Sequence, residues 1–550
     1  MTANPLDDPF YYLNNFLQVL DWLEHRYADV LSDDEQAFIH DFSQLPRASQ
    51  GLLVRMVMRK GSHFRMSKLH YPEIGDIARA AGPLRVLGWI DEQSPLPLET
   101  LFELLVKDEV LQCFSAAIAQ PKAKKSDWLP DLLALHADDK SFAHWCPTLS
   151  DRLFSLTIMP LCDRLRLMFF GNLYQDWSEF VLADLGIFTY EKVEFCAESR
   201  GLRSREDVDA CLFLHACQQR FEAGEALAEI VEQINGLTLG NPWLEKRRAK
   251  LLFQMGQHCE RMADFSSALM IYRDCEWPGA RMRLIRVLER CGEYRLALEL
   301  AVTAERMPQS AAEQQHLLRV LPRLRRKLGG PPNKRAARRE MLRLDLQLPR
   351  TDPALSVEFH VQSHLAQDSA PVHYVENSLI NSLFGLLCWP AIFAPLPGAF
   401  FHPFQRGPVD LHHEDFHARR AELFQACLDE LDDGRYRQTI RERYVAKWGV
   451  QSPFVFWGAL NEALLAQALD CLPAAHLKHW FSRLLLDIKA NRAGMPDLIQ
   501  FWPDEKTYRM IEVKGPGDRL QDNQLRWLEF CHEHQMPIAV CYVQWAEQSA

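Results

Sequence analysis

The feature that most constrains this chain of 550 residues is a pair of charges inside an apolar strand near the C-terminus. Glu512 and Lys514 alternate with Ile511 and Val513. Because alternate residues of a β-strand face opposite sides, the sequence predicts that the two charges share one face and that the aliphatic side chains enter a buried layer. An unpaired buried charge is costly, so charges in such a strand indicate a site more than a solvated surface.

A second predicted strand precedes this one, and Pro503 to Lys506 form the turn between them, since proline and aspartate favour turns. Asp497 opens the hairpin and can reach the face of Glu512 and Lys514. Two carboxylates can hold Mg²⁺ or Mn²⁺, which activates a water and neutralises transition-state charge, and a lysine can orient that water. The pattern predicts metal-assisted phosphodiester hydrolysis, although the same residue types at this spacing also occur on solvated sheets.

The hairpin is followed by a turn, an amphipathic helix and a last apolar strand at residues 537–543. Asp518 is predicted to cap that helix, since a side-chain oxygen before a helix accepts its free amide hydrogens. Arg519 and Gln524 are predicted to face the same cleft as Lys514. Hairpin, helix and strand together predict an α/β core with the charged residues at one end.

These segments resemble the VRR-type nuclease module of the PD-(D/E)-x-K superfamily, and more narrowly the bacterial Fanconi-anaemia-associated nuclease family. The similarity covers residues 495–497, 511–516 and 518–524, an upstream segment at 375–387 and an N-terminal block at 65–71. The resemblance implies a structure-selective DNA nuclease, a 5′-flap endonuclease and 5′-to-3′ exonuclease that acts on branched or flapped DNA in interstrand cross-link repair. Eukaryotic members carry a ubiquitin-binding zinc finger, and no cysteine pair here has such spacing.

The resemblance also implies roles for individual residues. Glu376 is expected on the first helix of the nuclease domain, where it would add a metal-binding carboxylate. The expected cofactor is Mg²⁺ or Mn²⁺. The implied metal ligands are Glu376, Asp497, Glu512 and the carbonyl of Val513, and the implied catalytic residues are Lys514, Glu512, Asp497 and Gln524.

The net charge of −11 does not by itself indicate nucleic-acid binding, but the positive charge is concentrated in one segment. Residues 319–350 contain eleven Lys and Arg against two acidic residues, which makes this stretch +9. This concentration of positive charge is typical of a protein that binds DNA phosphates through one segment. The alternative is a solvated helix face or a flexible basic linker. The residues predicted to contact DNA are Arg323, Arg325, Arg326, Lys327, Lys334, Arg335, Arg338, Arg339 and Arg519.

The predicted fold class is a multidomain chain, with α-rich N-terminal and TPR-like helical solenoid regions followed by an α/β restriction-endonuclease-like domain. In the middle of the chain, a turn with an acidic and an aromatic residue precedes a helix that contains Ala-Leu, and the same pattern recurs 29 residues later, an echo of the first copy. Two such copies are typical of a helical solenoid, and a generic helical bundle is the alternative. The N-terminal region is expected, by resemblance, to bind DNA through winged-helix-like or SAP-like elements. The predicted regions are 1–134 (N-terminal), 135–330 (TPR-like), 331–352 (basic linker) and 353–550 (nuclease).

Composition bears on the compartment. The fourteen cysteines are scattered without a C-x-x-C pair, and no signal peptide is seen, which predicts a reducing cytosol. The long uncharged run at residues 377–401 contains three prolines, so we expect a buried helix and a loop in place of a membrane segment. The expected location is the cytoplasm of a bacterium, with association to the nucleoid during action on DNA.

Two alternative functions remain open from the residues alone. One is another PD-(D/E)-x-K endonuclease such as a junction resolvase, although resolvases are usually small symmetric dimers. The other is a catalytically inactive helical-repeat scaffold that binds DNA. The intact set of Asp497, Glu512 and Lys514 disfavours the scaffold, because an inactive site would be free to lose one of them.

Overall fold

The protein, in a computed structural model, is described over residues 8–136, 138–179, 188–309, 311–331, 341–350, 352 and 354–546. It divides into two compact units. The first comprises Met1–Phe188 with Leu202–Leu212, and the second comprises Thr189–Gly201 with Phe213–Ala550. None of the helices within the described ranges combines the length and hydropathy that a bilayer crossing needs.

The first unit packs helices around a small antiparallel sheet. The strands are β1 (His63–Arg65), β2 (Ile90–Asp91) and β3 (Leu153–Leu156), with β3 in the middle. Residues 135–330 were expected to be helical, and β3 corrects this expectation, because its buried side chains complete the N-terminal sheet. The helices are α1 Tyr11–Tyr27, α2 Asp33–Gln44, α3 Arg47–Val57, α4 Ile77–Val86, α5 Leu98–Leu104, α6 Lys107–Phe114, α7 Lys125–Leu135, α8 Phe142–Trp145 and α9 Met159–Phe170.

A buried ion-pair network ties β1 to the helices that follow it. Arg65 is only 6% exposed. Its guanidinium donates to both carboxylate oxygens of Glu109, at 2.6 and 2.7 Å, and to Asp151 at 2.8 Å. Because each of the three charges is paired and hydrogen-bonded, the network can exist inside the unit.

A run of helices follows, in which each helix packs against the next from α11 to α16. The predicted echo is confirmed as two helical hairpins: Asp264 accepts from the Ser267 amide to cap α13, and Glu293 precedes α15. Buried alanines such as Ala268 and Ala297 let neighbouring helices approach closely. The helices are α10 Arg205–Glu222, which contains residues of both units, then α11 Leu227–Asn235, α12 Pro242–Arg261, α13 Phe265–Arg273, α14 Ala280–Arg290, α15 Tyr294–Arg306 and α16 Ala311–Lys327.

The C-terminal part contains a five-stranded mixed sheet. The order is β4-β8-β7-β6-β5, with β7 in the middle. Strand β8 is parallel to both of its neighbours, β4 and β7, while β6 pairs antiparallel with β5 and with β7. Residues 342–348, expected in a basic linker, instead form the edge strand β4. The strands are β4 Leu342–Leu348, β5 Val372–Tyr374, β6 Leu498–Trp502, β7 Thr507–Lys514 and β8 Ile538–Trp545.

Helices cover both faces of this sheet. Ile511 and Val513 pack with Val361 of α17 on one face, while Met510 packs with Trp527 of α25 on the other. The uncharged run at residues 377–401 forms buried helices followed by a loop, as predicted. The helices are α17 Val357–Leu365, α18 Leu379–Leu387, α19 Trp389–Ile392, α20 Ala421–Asp433, α21 Tyr436–Ala446, α22 Glu462–Cys471, α23 Ala474–Leu486, α24 Ile488–Asn491 and α25 Asp522–Glu533.

Candidate active site

The β6–β7 hairpin brings two acidic residues together. Asp497 directly precedes β6, and its Oδ2 accepts a 2.8 Å hydrogen bond from the amide of Val513 on β7. Leu498 pairs with Ile511, so the start of β6 lies beside the end of β7. The four-residue turn falls at 503–506 as predicted. The register of the hairpin therefore places the Asp497 carboxylate against the strand that carries Glu512.

Glu512 and Lys514 share one face of β7, as the alternation predicted. The Lys514 Nζ lies 2.7 Å from the Glu512 Oε1 in an ion pair. The Glu512 side chain is 1% exposed, and apart from this contact with Lys514 neither of its oxygens has a donor within the described part of the chain. Burial, and then the neighbouring Asp497 charge, raise the pKa of Glu512 to about 8. With Lys514 as its one donor there, this carboxylate has fewer donors than a buried anion needs.

Asp497 is in a similar electrostatic position. Burial raises the pKa of Asp497 to about 6, although its hydrogen bond from the Val513 amide acts in the opposite direction. The carboxylates of Glu358 and Glu376 add to the increase. Several like charges therefore converge on this end of the sheet, which is the condition that a divalent cation relieves.

Glu376 lies in the turn after β5, which corrects its expected place on a helix. Helix α18 starts only at Leu379. The Glu376 carboxylate is held from two sides: the Tyr374 hydroxyl donates to Oε2 at 2.5 Å, and the Asn377 amide donates to Oε1 at 3.2 Å. Glu376 thus approaches Asp497 from the neighbouring strand, since Val375 N–H donates to the Asp497 carbonyl at 2.8 Å.

Sequence reasoning missed Glu358. This residue lies in the first turn of α17, behind the Ser356 side chain that caps the helix, and its charge acts on both Asp497 and Tyr374. A capped helix just ahead of β5 was the available signal, because an α/β core of this kind opens on a helix. Glu358 therefore joins Glu376 and Asp497 in the group of acidic residues at this end of the sheet.

The residues present fit a divalent cation in chemistry. Carboxylate oxygens are hard ligands suited to Mg²⁺ or Mn²⁺, and a buried carboxylate with a single ammonium neighbour fits a site completed by a cation. Across the described ranges, no three acidic, His or Cys side chains already form a metal cage. Lys514 and Tyr374 instead occupy positions beside the carboxylates. The ligand assignments, including the Val513 carbonyl, stay predictions.

The helix after β7 differs from its prediction. Asp518 does not cap it: its Oδ2 accepts from the Gly515 amide at 2.9 Å within the preceding turn. Gln521 occupies the capping position, and its amide donates to the Gln524 side-chain oxygen at 2.9 Å. Gln524 is thus engaged at the start of its own helix, while Arg519 is exposed in the loop.

The predicted DNA-contact residues are only partly described. Arg323 forms an ion pair with Glu289 at 2.6 Å, and Lys327 lies over the Tyr294 ring at 5.6 Å. Arg325 is 3.9 Å from Glu305, while Arg326 is exposed at the end of α16. Lys334, Arg335, Arg338 and Arg339 lie outside the described residues.

A basic cavity of about 460 Å³ adjoins this end of α16. Arg286 and Arg290 from α14 line it together with Arg323 and Lys327 from α16. Arg286 lies 3.0 Å from Glu260, so part of the positive charge is already balanced within the solenoid. Arg323 and Lys327 belong to the basic segment that the sequence predicted, whereas Arg286 and Arg290 come from outside it.

The chain is similar to known proteins over nearly its whole length. Family models match in three places: FAN1, HTH domain at residues 10–91, Fanconi anemia-associated nuclease SAP domain at 95–145, and VRR-NUC domain at 431–545. A Fanconi-associated nuclease 1 homolog from Pseudomonas aeruginosa is 58% identical over 98% of this chain and 97% of the relative. The homolog from Arabidopsis thaliana is 24% identical over 97% of this chain and 67% of the relative.

A solved structure shows the same architecture over nearly the whole chain. It is the crystal structure of paFAN1 bound to 5′-flap DNA with a 2-nucleotide flap and a gap. It matches with a TM-score of 0.91 and 58% identity, over 98% of this chain and 99% of that chain. By its sequence and its fold, the chain belongs to the Fanconi-associated nuclease family.

Proposed function

We propose that the protein cleaves 5′-flap DNA and degrades DNA 5′-to-3′, using Mg²⁺ or Mn²⁺, in the repair of interstrand cross-links. As a family member it is a DNA-cleaving hydrolase that is selective for DNA structure. The observation that carries the proposal is the buried Glu512 carboxylate, which lies beside Asp497 and for which Lys514 is the only donor in the described structure. The resolvase and inactive-scaffold alternatives gain no support from the family match.

Different residues would hold the metal and act on the water and the phosphate. Glu376, Asp497, Glu512 and the Val513 carbonyl would hold the metal, with Glu358 adding negative charge nearby. The bound ion would supply Lewis-acid activation of a water and of the phosphate. Lys514 would hold the attacking water or balance charge on the phosphate as it becomes pentacovalent. The burial of Asp497, Glu512 and Lys514 strengthens the interactions that these three groups make.

Flap recognition is proposed from the neighbouring surfaces. The match to paFAN1, which was crystallised with flap DNA, supports the same substrate class here. The HTH and SAP matches support a DNA-binding role for the first unit. Exposed Arg326 and Arg519 would add phosphate contacts, which position a duplex without reading its sequence. Such an enzyme would work at the bacterial nucleoid, in the cytoplasm.

The test is cleavage of labelled 5′-flap, 3′-flap, four-way junction and blunt duplex DNA, with Mn²⁺ or with EDTA. We expect metal-dependent cutting concentrated on the 5′-flap. Asp497→Asn should remove at least about a hundredfold of the rate, as loss of transition-state charge stabilisation does. The matched control is Asp504→Asn, which makes the same change at an exposed position of the β6–β7 turn. Equal cutting of every substrate, or full activity in Asp497→Asn, would overturn the proposal.

A further inference from the structure

Two segments far apart in sequence carry the carboxylates of the site. Strands β5 and β6 pair through Tyr374 and Leu498, and one more backbone bond joins Val375 to Asp497 at 2.8 Å. Beyond that point the regular ladder stops, because the chain turns at Glu376 toward α18. The spacing between Glu376 and Asp497 therefore depends on what holds the two segments together past the ladder.

Side-chain hydrogen bonds of two asparagines continue the pairing where the backbone no longer can. The Met495 amide donates to Asn377 Oδ1 at 3.1 Å. Asn381 Nδ2 donates to the carbonyl of Asn377 at 2.7 Å and to the carbonyl of Arg492 at 2.9 Å. Read along the two segments, 375 bonds 497, 377 bonds 495 and 381 bonds 492, which is the antiparallel order of β5 and β6.

The backbone of Asn377 is also special. Its φ is +51°, in the left-handed region, which asparagine adopts more readily than most residues other than glycine. This conformation reverses the chain between β5 and α18. The same residue's Nδ2 donates to Glu376 Oε1 at 3.2 Å. Asn377 therefore touches both the neighbouring carboxylate and the segment that carries Asp497.

We propose that Asn377 is a positioning residue for metal binding, which sets the separation of the Glu376 and Asp497 carboxylates through its bond to Met495. The inference rests on the proposed metal-dependent nuclease function. Mg²⁺ and Mn²⁺ sites tolerate little error in the position of their oxygen ligands, of the order of 0.5 Å. Glu376 is exposed in its turn, so without the asparagine bonds only the Tyr374 hydroxyl would hold its carboxylate, and the distance from this turn to the buried Asp497 would be less closely fixed.

The test is a titration of the full-length protein with Mn²⁺ alone, followed by the electron paramagnetic resonance signal of the free ion. Asn377→Gly keeps the left-handed backbone and removes the amide. We expect it to weaken Mn²⁺ binding by about ten- to a hundredfold, the usual effect of losing a group that orients a metal ligand. The Mn²⁺ concentration for half-maximal flap cleavage should rise by the same factor, while half-saturation by flap DNA stays unchanged.

The control is Asn461→Gly, because the Asn461 side chain also accepts one backbone amide, that of Leu464 at 2.9 Å, to cap α22 away from the site. It should leave Mn²⁺ binding unchanged while shifting the melting temperature as much as Asn377→Gly does. A second variant, Asn377→Asp, keeps an acceptor for Met495, so its Mn²⁺ affinity should fall less than that of Asn377→Gly.

The outcomes separate the inference from the proposed function. Wild-type Mn²⁺ affinity in Asn377→Gly, together with loss of binding in Asp497→Asn, would overturn the role of Asn377 and leave the metal centre standing. Equal losses in Asn377→Gly and Asn377→Asp would also overturn it, because the bond to Met495 would not matter. Absence of Mn²⁺ binding by the wild-type protein would overturn both.

Discussion

Replacement of Glu512 by glutamine should stabilise the metal-free protein, by an amount that grows with pH. The pKa of Glu512 is raised from 4.5 to about 8 by burial and by Asp497. In the unfolded chain the group ionises near its ordinary pKa, whereas in the folded chain it keeps its proton until pH 8. The folded state therefore binds more protons between these values, and stability is lost as pH rises through that window.

The magnitude follows from the size of the shift. Each pH unit inside the window removes about 1.4 kcal/mol. The wild type should thus lose about 2 kcal/mol by pH 6, about 3 kcal/mol by pH 7 and about 4 kcal/mol by pH 8, relative to acid conditions. Glutamine has the shape of the protonated acid and does not ionise, so Glu512→Gln should avoid this loss.

The assay is urea unfolding in EDTA at pH 6, 7 and 8, with Glu505→Gln as the control. Glu505 is exposed in the β6–β7 turn, so its substitution should change stability by less than about 0.5 kcal/mol. Addition of Mn²⁺ should reverse the order, since an ion that binds only the folded state stabilises it and Glu512→Gln lacks a ligand. A gap between variant and wild type that stays constant from pH 6 to 8 would refute the reasoning.

Three further predictions concern proton release at Glu512, the Arg65 ion-pair network and the basic end of α16. Because the pKa of Glu512 is about 8, Mn²⁺ binding at pH 7 should release about one proton and at pH 9 almost none; calorimetry in buffers of different ionisation enthalpy measures this, and equal release at both pH values would contradict it. Arg65→Met should destabilise the first unit by about 2 to 4 kcal/mol, because it leaves the half-buried Glu109 carboxylate and the buried Asp151 side chain without their cationic partner; urea unfolding would show a loss below about 1 kcal/mol if the pairing were unimportant. Substitution of both Arg326 and Lys327 by glutamine should reduce the slope of log K for flap DNA against log salt by about 2, since each phosphate contact contributes about 0.9; an unchanged slope would exclude this end of α16 from the DNA interface.

The hairpin was predictable because its information is local. Alternation of apolar and charged residues fixes which face each side chain takes, and one misplaced residue would invert the pattern. The turn at 503–506 and the shared face of Glu512 and Lys514 both agree with the structure. The same alternation was present at Leu342–Leu348, where leucine occupies every second position. There the many basic residues predicted a linker, although the alternation is an equally clear strand pattern.

The rest of the site could not be predicted from local pattern. The family resemblance placed Glu376 on a helix, but the left-handed conformation of Asn377 delays the helix to Leu379. Asp518 has the right chemistry for a cap, but its carboxylate instead accepts a hydrogen bond from the amide of Gly515 in the preceding turn. In both cases a hydrogen bond or a dihedral angle, and not residue type, decides where the helix begins.

The way the site is assembled explains why its acidic residues are strained. Glu358 and Glu376 come from one segment, and Asp497 and Glu512 from another more than a hundred residues later, with the α18–α24 helices between them. The antiparallel pairing of β5 with β6 brings the two halves together whether or not a cation is present. Repulsion between the halves is therefore built into the folded sheet. Burial is the main cause of the raised pKa of Asp497 and of Glu512, and the charge of Glu376 from the other half adds to both. A divalent ion removes that repulsion at the same place where charge develops on a phosphate. The residues that make the metal-free protein less stable are thus the ones that would make it active, which is why stability and catalysis should respond to Glu512→Gln in opposite directions.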